Sequence, residues 1–256
     1  MTRTIALLLT ALWAAGPVCA NEIPPRIAVV FDDLGYTTEG LARQLLEVEV
    51  PLTFAVLPGL RESIAFAESA QAHGHEVILH VPMEPLDLQH HDPGPDALFV
   101  ELEPEENRRR LRTFLDGLPA FAGVSNHMGS RCTADAALME LYLREIGSRG
   151  NGTYVLDSRT TARSVVPACA QSAGVPWVAS DLFLDHHALG SPRPREQAQK
   201  LLEIALTRGD AVGIGHVRPE TIGALREALL IWSEYGIRVV ALSDLVHRER
   251  EGERFP

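Results

Sequence analysis

The sequence is short of positive charge. It has 23 Lys and Arg residues against 34 Asp and Glu residues, which gives a formal net charge of −11 at pH 7. A chain this acidic lacks the basic surface with which proteins bind nucleic acids or anionic lipid headgroups. With 46% hydrophobic and 22% charged residues, it also differs from disordered, collagenous and coiled-coil proteins. The composition therefore indicates a packed globular protein that does not bind nucleic acid.

Long hydrophobic runs are also missing, and the apolar run near the N-terminus is too short to span a membrane. Arg3 precedes an apolar run over Ile5–Ala15, about half of the ~20 residues that a transmembrane helix needs. Small residues that end at Ala20 then match the pattern read by signal peptidases. We interpret residues 1–20 as a cleaved secretory signal rather than a membrane anchor. The mature domain, residues 21–256, is then expected in the bacterial periplasm, with no stable membrane anchor.

Cysteine is scarce as well. Of the three cysteines in the chain, Cys132 and Cys169 remain after removal of the signal, and their spacing matches no zinc motif. An oxidising compartment permits a disulfide between them, but the sequence does not show whether their Cα atoms lie within bonding range. A disulfide and two free thiols therefore both stay open.

Several common catalytic motifs are absent. The sequence contains no nucleophile elbow, no Walker loop and no HExxH helix. Gly213-Ile214-Gly215 lacks the third glycine of a dinucleotide-binding turn, so we expect no nucleotide cofactor.

What is present is an alternation of short β-branched runs with longer amphipathic segments. The predicted strands are Arg26–Phe31, Leu52–Val56, Glu76–His80, Ala122–Asn126, Thr153–Leu156, Pro176–Ala179, Ala211–Gly215 and Arg238–Ala241. Helical spacing of apolar residues lies between them, for example over Ala134–Ile146 and Ile222–Trp232. This alternation predicts a single α/β domain with a mostly parallel sheet, a deformed (β/α) barrel of seven or eight strands. A doubly wound open sheet is the alternative.

Two stretches, Pro82–Leu98 and Ser180–Arg195, fit neither pattern and are predicted to be long loops. They contain the pairs His90-His91 and His186-His187. We expect both pairs to face solvent, with a metal or substrate role as the alternative. The charged tail, Leu245–Pro256, is expected to fray or to form a short terminal helix.

Acidic, amide and imidazole side chains collect where the predicted strands end. In chain order, these residues are Asp32, Asp33, His80, Asn126, His127, Asp157, Asp181 and His216. The carboxyl ends of parallel strands lie on one face of an α/β fold, and active sites occupy that face. We therefore expect these side chains to meet at one site.

The residue types indicate metal-dependent hydrolysis. Carboxylate and neutral imidazole suit zinc and related divalent ions, and Asp33, His80 and His127 are the candidate ligands. Asp32 is the candidate base that activates water, and His216 is the candidate acid for the leaving group. The expected cofactor is a divalent metal, with zinc as the first choice.

These residues belong to segments that resemble polysaccharide deacetylases. Ala28–Gly35 reads AVVFDDLG and resembles the Asp-Asp motif that opens sequences of that family. Further segments resemble the divergent bacterial branch and stand in its order between Arg26 and Asp244: His80–Pro85, Asn126–Arg131, Leu156–Thr160, Phe183–Asp185 and Ile214–His216.

The resemblance implies a deformed, often seven-stranded barrel and metal-dependent removal of N- or O-acetyl groups from carbohydrate. By family position, Asp32 is the base, Asp33 and His80 are metal ligands, and His216 is the late catalytic histidine. A supporting or substrate-binding shell is expected from Glu84, Asn126, Arg131, Asp157, Ser158, Arg159 and Asp185. Arg159 alternatively pairs with Asp157 or Asp185 and joins the strand ends.

The sequence departs from the family at two places. The second metal histidine of the family, four residues after the first, is replaced by Glu84. Glu84 and His127 are therefore alternative third ligands, and we expect His127, since the proline-flanked Glu84 need not point at the ion. The usual Arg-Pro-Tyr segment, which helps to hold the base and the oxyanion, is replaced by Asn126–Ser130.

The expected function is the removal of acetyl groups from a carbohydrate or cell-envelope glycan. The alternative is a glycan- or metal-binding protein of the envelope with weak or no catalysis. Retention of Asp32 and His216 favours the enzyme, and the altered metal motif favours the binding protein. A phosphoester hydrolase is a third function, disfavoured because the predicted site lacks Arg or Lys. An envelope protein partner and the oligomeric state stay open.

Overall fold

A computed structural model describes residues 24–150, 152–185 and 193–246 of the chain. The strands are β1 (Arg26–Leu34), β2 (Thr53–Val56), β3 (Glu76–Met83), β4 (Gly123–Met128), β5 (Tyr154–Asp157), β6 (Trp177–Ala179), β7 (Leu182–Phe183), β8 (Asp210–His216) and β9 (Arg238–Val239). The helices are α1 (Leu41–Leu46), α2 (Ser63–Ala72), α3 (Pro104–Asp116), α4 (Ala136–Gly147), α5 (Val166–Ala173), α6 (Pro194–Arg208) and α7 (Pro219–Glu234). The proposed signal, the pair His186-His187 and the tail from His247 lie outside the described residues.

The strands form one curled, parallel sheet in the order β6-β5-β4-β3-β2-β1-β8-β7, and β9 pairs with the start of β1. Only Ser180 and Asp181 separate β6 from β7. The Ser180 N–H donates to the Asp157 carbonyl at 3.0 Å, and the Asp181 N–H donates to the Val212 carbonyl at 2.9 Å. The chain therefore crosses here from the β5 side of the curl to the β8 side. The predicted deformed barrel of mostly parallel strands is confirmed.

Alternating side chains divide the core into two parts. In β1, Val29 and Phe31 belong to the apolar cluster that includes the helices, while Ala28 and Val30 belong to a second cluster inside the curl. Leu242, in the 3-10 turn after β9, joins this inner cluster. Because β1 is covered on both faces, it is apolar and fully buried from Ile27 to Phe31, as buried parallel strands are.

The observed strands differ from the prediction mainly at their ends: β1 continues to Leu34, and β9 already ends at Val239. β3 and β4 pair as far as Met83 and Met128, so both strands are longer than predicted. His80 and Pro82 interrupt the apolar run of β3, and Asn126 and His127 interrupt that of β4, although the backbone pairing continues past them. Within the stretch predicted to be the loop Ser180–Arg195, Leu182 pairs with Gly213 and forms part of β7. Two residues are too few to produce a periodic pattern.

Cys132 and Cys169 are free thiols, which decides between the two alternatives. Cys132 is buried and its Sγ lies 3.3 Å from the Leu98 carbonyl oxygen, while Cys169 is half-buried. Within the part of the chain that the structure describes, no helix has the length and apolar character needed to cross a bilayer.

Candidate metal and catalytic site

At the carboxyl end of the curled sheet, the inward row of side chains changes from apolar to ionisable. β1 presents Val30 and then Asp32, which is 3% exposed. β3 and β8 make the same change with His80 and His216. Parallel register places Asp32 beside His216, since these two residues are Cα partners in the β1–β8 ladder. Asp32, His80 and His216 therefore meet, as the sequence predicts. Asp181 does not join them, because it lies beside the start of β8, where it binds Arg208 and accepts the Val212 N–H.

Asp33 joins this group because its backbone is left-handed, with φ of 66°. In a regular strand, residues 32 and 33 would face opposite sides of the sheet. The β1–β2 pairing is irregular between Phe31 and Leu34, so Asp33 turns back and shares the site with Asp32. Aspartate tolerates this conformation better than most residues, at a cost of about 1–3 kcal/mol. Strain of this kind clusters at functional sites.

The structure brings together the three candidate metal ligands. His127 Nδ1 lies 2.8 Å and His80 Nε2 lies 3.3 Å from the same Asp33 Oδ1 atom. The two imidazole rings are 5.1 Å apart and tilted by 68°. One ligand atom from each residue lies within 4.8 Å of the others. One carboxylate and two imidazoles are therefore close enough to bind the same metal ion.

Two buried carboxylate oxygens in this cluster show whether the site has room in its hydrogen bonding for a cation. Asp32 Oδ1 and Asp33 Oδ1 accept no hydrogen bond from any described residue, although His127 Nδ1 lies close to the second. Burying such oxygens without a partner is costly. Borderline divalent ions such as zinc prefer this set of nitrogen and oxygen donors. The residues therefore fit a divalent cation.

A buried serine orients the His80 ring. His80 Nδ1 lies 2.7 Å from Ser125 Oγ, and both residues are buried. This contact leaves Nε2 facing Asp33, at 3.3 Å, and Asp32, at 3.6 Å. Metal-binding histidines usually engage their second nitrogen in this way, which fixes the ring and its tautomer.

The carboxylates and imidazoles shift one another's pKa values. Burial raises the pKa of Asp32, and His80 and His216 offset this effect only in part. Burial also opposes ionisation of Asp33, but contacts with His127 and His80 outweigh it and hold its pKa well below the usual range. Burial alone would lower the pKa of His80, but the charges of Asp32 and Asp33 raise it above the usual value. The two neighbouring carboxyls thus differ strongly in proton affinity.

Asp185 holds His216 from the side away from the acids. His216 Nδ1 lies 2.7 Å from Asp185 Oδ1, and the His216 N–H donates to Asp185 Oδ2 at 2.9 Å. The Thr221 hydroxyl donates to the same Oδ2 at 2.6 Å. His216 Nε2 then faces Asp33 Oδ2 at 3.8 Å. Burial lowers the pKa of His216, but Asp185, Asp32 and Asp33 raise it overall.

The buried carboxylate of Glu84 pairs with the partly exposed Arg131 instead of facing the candidate ligands. Its Oε1 lies 2.6 Å from Arg131 Nη1, and its Oε2 accepts the Val100 N–H at 2.9 Å. Arg131 also pairs with the exposed Glu101. Glu84 therefore joins the end of β3 to the segments that follow β3 and β4. Both of its carboxylate oxygens are engaged there, whereas His127 lies beside Asp33.

The remaining candidates join the ends of β4 and β5. Asn126 donates to the Met128 carbonyl at 2.7 Å and accepts the Ser158 N–H at 3.1 Å. Asp157 accepts the Arg159 N–H at 2.9 Å. The Arg159 side chain is exposed and forms no close ion pair with Asp157 or Asp185, although its charge partly offsets the rise that burial gives the pKa of Asp157. Asp185 already binds His216 and Thr221, and Asp157 accepts the backbone N–H of Arg159.

Two clefts open beside the acid cluster. One, of about 610 Å³, is lined by Asp32, Asp33 and His216, and the other, of about 540 Å³, is lined by His127. Both volumes lie in the range of small-molecule sites. Tyr36 lines both clefts and is 66% exposed.

Sequence reasoning missed three residues around the site. Ser125 was detectable, since it lies two residues before His127 and shares its face of the strand. Thr221 follows the proline that opens α7, and only the fold brings it to Asp185. Tyr36 gives no signal beyond its position three residues after Asp33.

Comparisons with known proteins identify the family of the chain. The family model described as divergent polysaccharide deacetylase matches residues 29–246. The chain belongs to the divergent polysaccharide deacetylase family, and membership implies carbohydrate as the class of substrate.

Three relatives show the range of similarity. The uncharacterized protein YibQ of Escherichia coli K12 is 30% identical over 225 residues, which cover 88% of this chain and 67% of YibQ. The crystal structure of an uncharacterized protein of Agrobacterium tumefaciens C58 matches at 26% identity and a TM-score of 0.79, covering 88% of this chain and 91% of that one. A mutant of a CE4 family pseudoenzyme from Bacillus anthracis shares the fold at 14% identity and a TM-score of 0.50, covering 87% and 67% of the two chains.

The Glu84–Arg131 pair generates a stability prediction. Glu84→Gln removes the buried charge and leaves Arg131 without its inner partner, so the free energy of unfolding should fall by about 1–3 kcal/mol. Glu101→Gln is the matched control, since Glu101 bonds the same arginine from an exposed position and should cost under about 1 kcal/mol. Urea unfolding measures both. If both variants lose the same free energy of unfolding, the pairing of Glu84 with Arg131 stabilises the fold no more than the exposed pairing of Glu101 does.

Proposed function

We propose that the protein is a metal-dependent hydrolase that removes acetyl groups from an acetylated glycan of the cell envelope. The observation that carries this proposal is the cluster at the end of β1, where two adjacent carboxylates face three imidazoles. A protein with only a structural need for charge at this place would pair each carboxylate with a donor. Here Asp32 Oδ1 is buried without a donor among the described residues, and Asp33 Oδ1 is shared by His127 Nδ1 at 2.8 Å and His80 Nε2 at 3.3 Å, neither of which meets it in hydrogen-bond geometry.

Asp33, His80 and His127 would hold the ion, which we propose to be zinc. When bound, the ion supplies a Lewis acid that makes water a stronger nucleophile at neutral pH and stabilises negative charge on the acetyl oxygen. Ser125 keeps His80 Nε2 directed at this position. Glu84 is not proposed as a ligand, because Arg131 and the Val100 N–H engage both of its oxygens.

Asp32 is the proposed base. Its raised pKa brings its proton affinity closer to neutral, which suits a group that accepts a proton from water. Its Oδ1 is buried and accepts no hydrogen bond from a described residue, so this oxygen is available for the proton. The water oxygen then bonds to the acetyl carbon.

His216 is the proposed acid. Asp185 accepts a hydrogen bond from Nδ1, so Nε2 is the atom that carries the transferable proton towards the site. As the bond between the acetyl carbon and the nitrogen breaks, Nε2 protonates the departing amine, and the products are acetate and a free amino sugar. The raised pKa of His216 keeps it protonated more readily at neutral pH. Asp185 and Thr221 act as positioning residues.

The remaining candidates are proposed to support the site rather than to react. The amide of Asn126 and the backbone of Ser158 join β4 to β5, and Asp157 fixes the turn at Arg159. Arg131 joins Glu84 to the segment after β4. We further propose that the chain is secreted by means of residues 1–20 and that it acts in the periplasm.

A second candidate function is glycan or metal binding without turnover. The replacement of the usual Arg-Pro-Tyr segment by Asn126–Ser130 favours it, since that segment is expected to help hold the oxyanion. The pseudoenzyme among the structural neighbours is an example of this fold without activity in its natural form, as the name of that protein states. The same ion would bind, but acetylated oligosaccharides would not be hydrolysed.

Zinc binding tests the ligand assignment. We expect one ion per chain in the wild-type protein, and at least ~10-fold weaker binding in His80→Ala and in His127→Ala. Binding should weaken as the pH falls from 8 to 6, because protons compete for His80, whose pKa is raised. Isothermal titration calorimetry measures both effects.

Glu84→Gln is the control for this measurement. It should bind zinc as the wild-type protein does, at a temperature where it remains folded. Loss of zinc from Glu84→Gln together with full binding by His127→Ala would assign the third ligand to Glu84 instead.

Turnover tests the acid and the base. Asp32→Asn should retain zinc and lose about 10²–10⁴-fold in kcat on acetylated amino-sugar oligomers. His216→Ala should lose a similar factor on these amides, but much less on an aryl acetate, whose leaving group needs no proton. The exposed His73→Ala is the control. If the zinc-loaded wild-type protein hydrolyses neither substrate, the hydrolase function is contradicted, and glycan or metal binding without turnover remains.

A further inference from the structure

The two clefts beside the acid cluster meet at one aromatic side chain. Tyr36 lines the cleft that contains Asp32 and His216, and it also lines the cleft that contains His127. The two clefts therefore adjoin across the loop that follows Asp33. A ligand with its reacting group at Asp33 has room to extend to both sides of Tyr36.

Backbone contacts fix the loop just before Tyr36, whose side chain is exposed. Gly35 has φ of 115°, and a Cβ at this position would lie 2.8 Å from Ser63 Oγ and 3.2 Å from the Leu57 carbonyl oxygen. The Gly35 carbonyl accepts the Glu62 N–H at 3.2 Å, and the Leu57 N–H donates to the Leu34 carbonyl at 2.9 Å. These contacts fasten the chain on the N-terminal side of Tyr36 to the segment between β2 and α2.

The chemistry of an exposed, anchored tyrosine suits a sugar ring. A pyranose presents a face of C–H groups, which an aromatic ring covers, while hydroxyl groups at its edge remain in water. Tyrosine supplies a large, rigid and amphipathic contact at low conformational cost, since only two side-chain torsions must be fixed. Tyr36 is 66% exposed, so this area is available to a ligand.

We propose that Tyr36 is the stacking platform for one sugar ring of an oligomeric substrate, whose neighbouring rings occupy the clefts on either side. The proposal rests on the proposed function for the class of ligand, an acetylated amino sugar. It adds a specificity: the protein selects oligomers over single sugars, and Tyr36 provides much of that selection.

Oligomers of N-acetylglucosamine, from one to five sugars, are the probe. Binding is measured by calorimetry with zinc-loaded protein carrying Asp32→Asn, which suppresses turnover. We expect affinity to rise at least tenfold from the monosaccharide to the trisaccharide. Tyr36→Ala should weaken oligomer binding roughly tenfold, whereas Tyr36→Phe should retain it, because stacking needs the ring and not the hydroxyl.

Tyr235→Ala is the matched control, since Tyr235 is 58% exposed and lies just after α7 in a different part of the surface. Equal affinities for single sugars and oligomers, unchanged binding by Tyr36→Ala, or no binding of any oligomer would each overturn the platform.

Failure of the platform and failure of the hydrolase are distinguishable. Length-dependent binding that requires Tyr36, without turnover by the wild-type protein, would retain the platform and overturn the hydrolase. If the wild-type protein hydrolyses the oligomers and Tyr36→Ala leaves the rate unchanged for oligomers of every length, the hydrolase is retained and the platform is overturned.

Discussion

The site depends on how two adjacent, largely buried carboxylates are compensated. Asp32 and Asp33 lie together because the left-handed backbone of Asp33 breaks the alternation of β1. Their charges require partners, and His80 and His127 from the next strands provide them. Asp32 Oδ1 still lacks a donor among the described residues, and two imidazoles share Asp33 Oδ1 without good hydrogen-bond geometry, which is the deficit that a divalent cation would relieve.

The surrounding structure serves this compensation. Ser125 and Asp185 each hold the far nitrogen of a histidine, which directs the near nitrogen at the acids. Glu84 shows how the chain accommodates a departure from the family pattern. Its carboxylate binds Arg131 and the Val100 N–H, so it fastens the segments around the site. The imidazole of the neighbouring strand, His127, lies beside Asp33 in its stead.

Much of this arrangement could be predicted from sequence, for identifiable reasons. Buried parallel strands are apolar to their ends, so a polar residue that follows such a run marks the active face, and this rule predicted the meeting of Asp32, His80 and His216. Other features depend on tertiary context. The pairing of Glu84 with Arg131 joins residues 47 positions apart. β7 is too short to leave a pattern, and the positive φ of Asp33 is common to many aspartates in turns.

The most direct test of the account is the position of zinc in crystals of the protein grown with that metal. Anomalous scattering recorded on both sides of the zinc absorption edge locates the ion independently of any assumed ligand. We predict one peak per chain, in contact with Asp33, His80 and His127. A peak coordinated by Glu84, or no peak between these three residues, would contradict it.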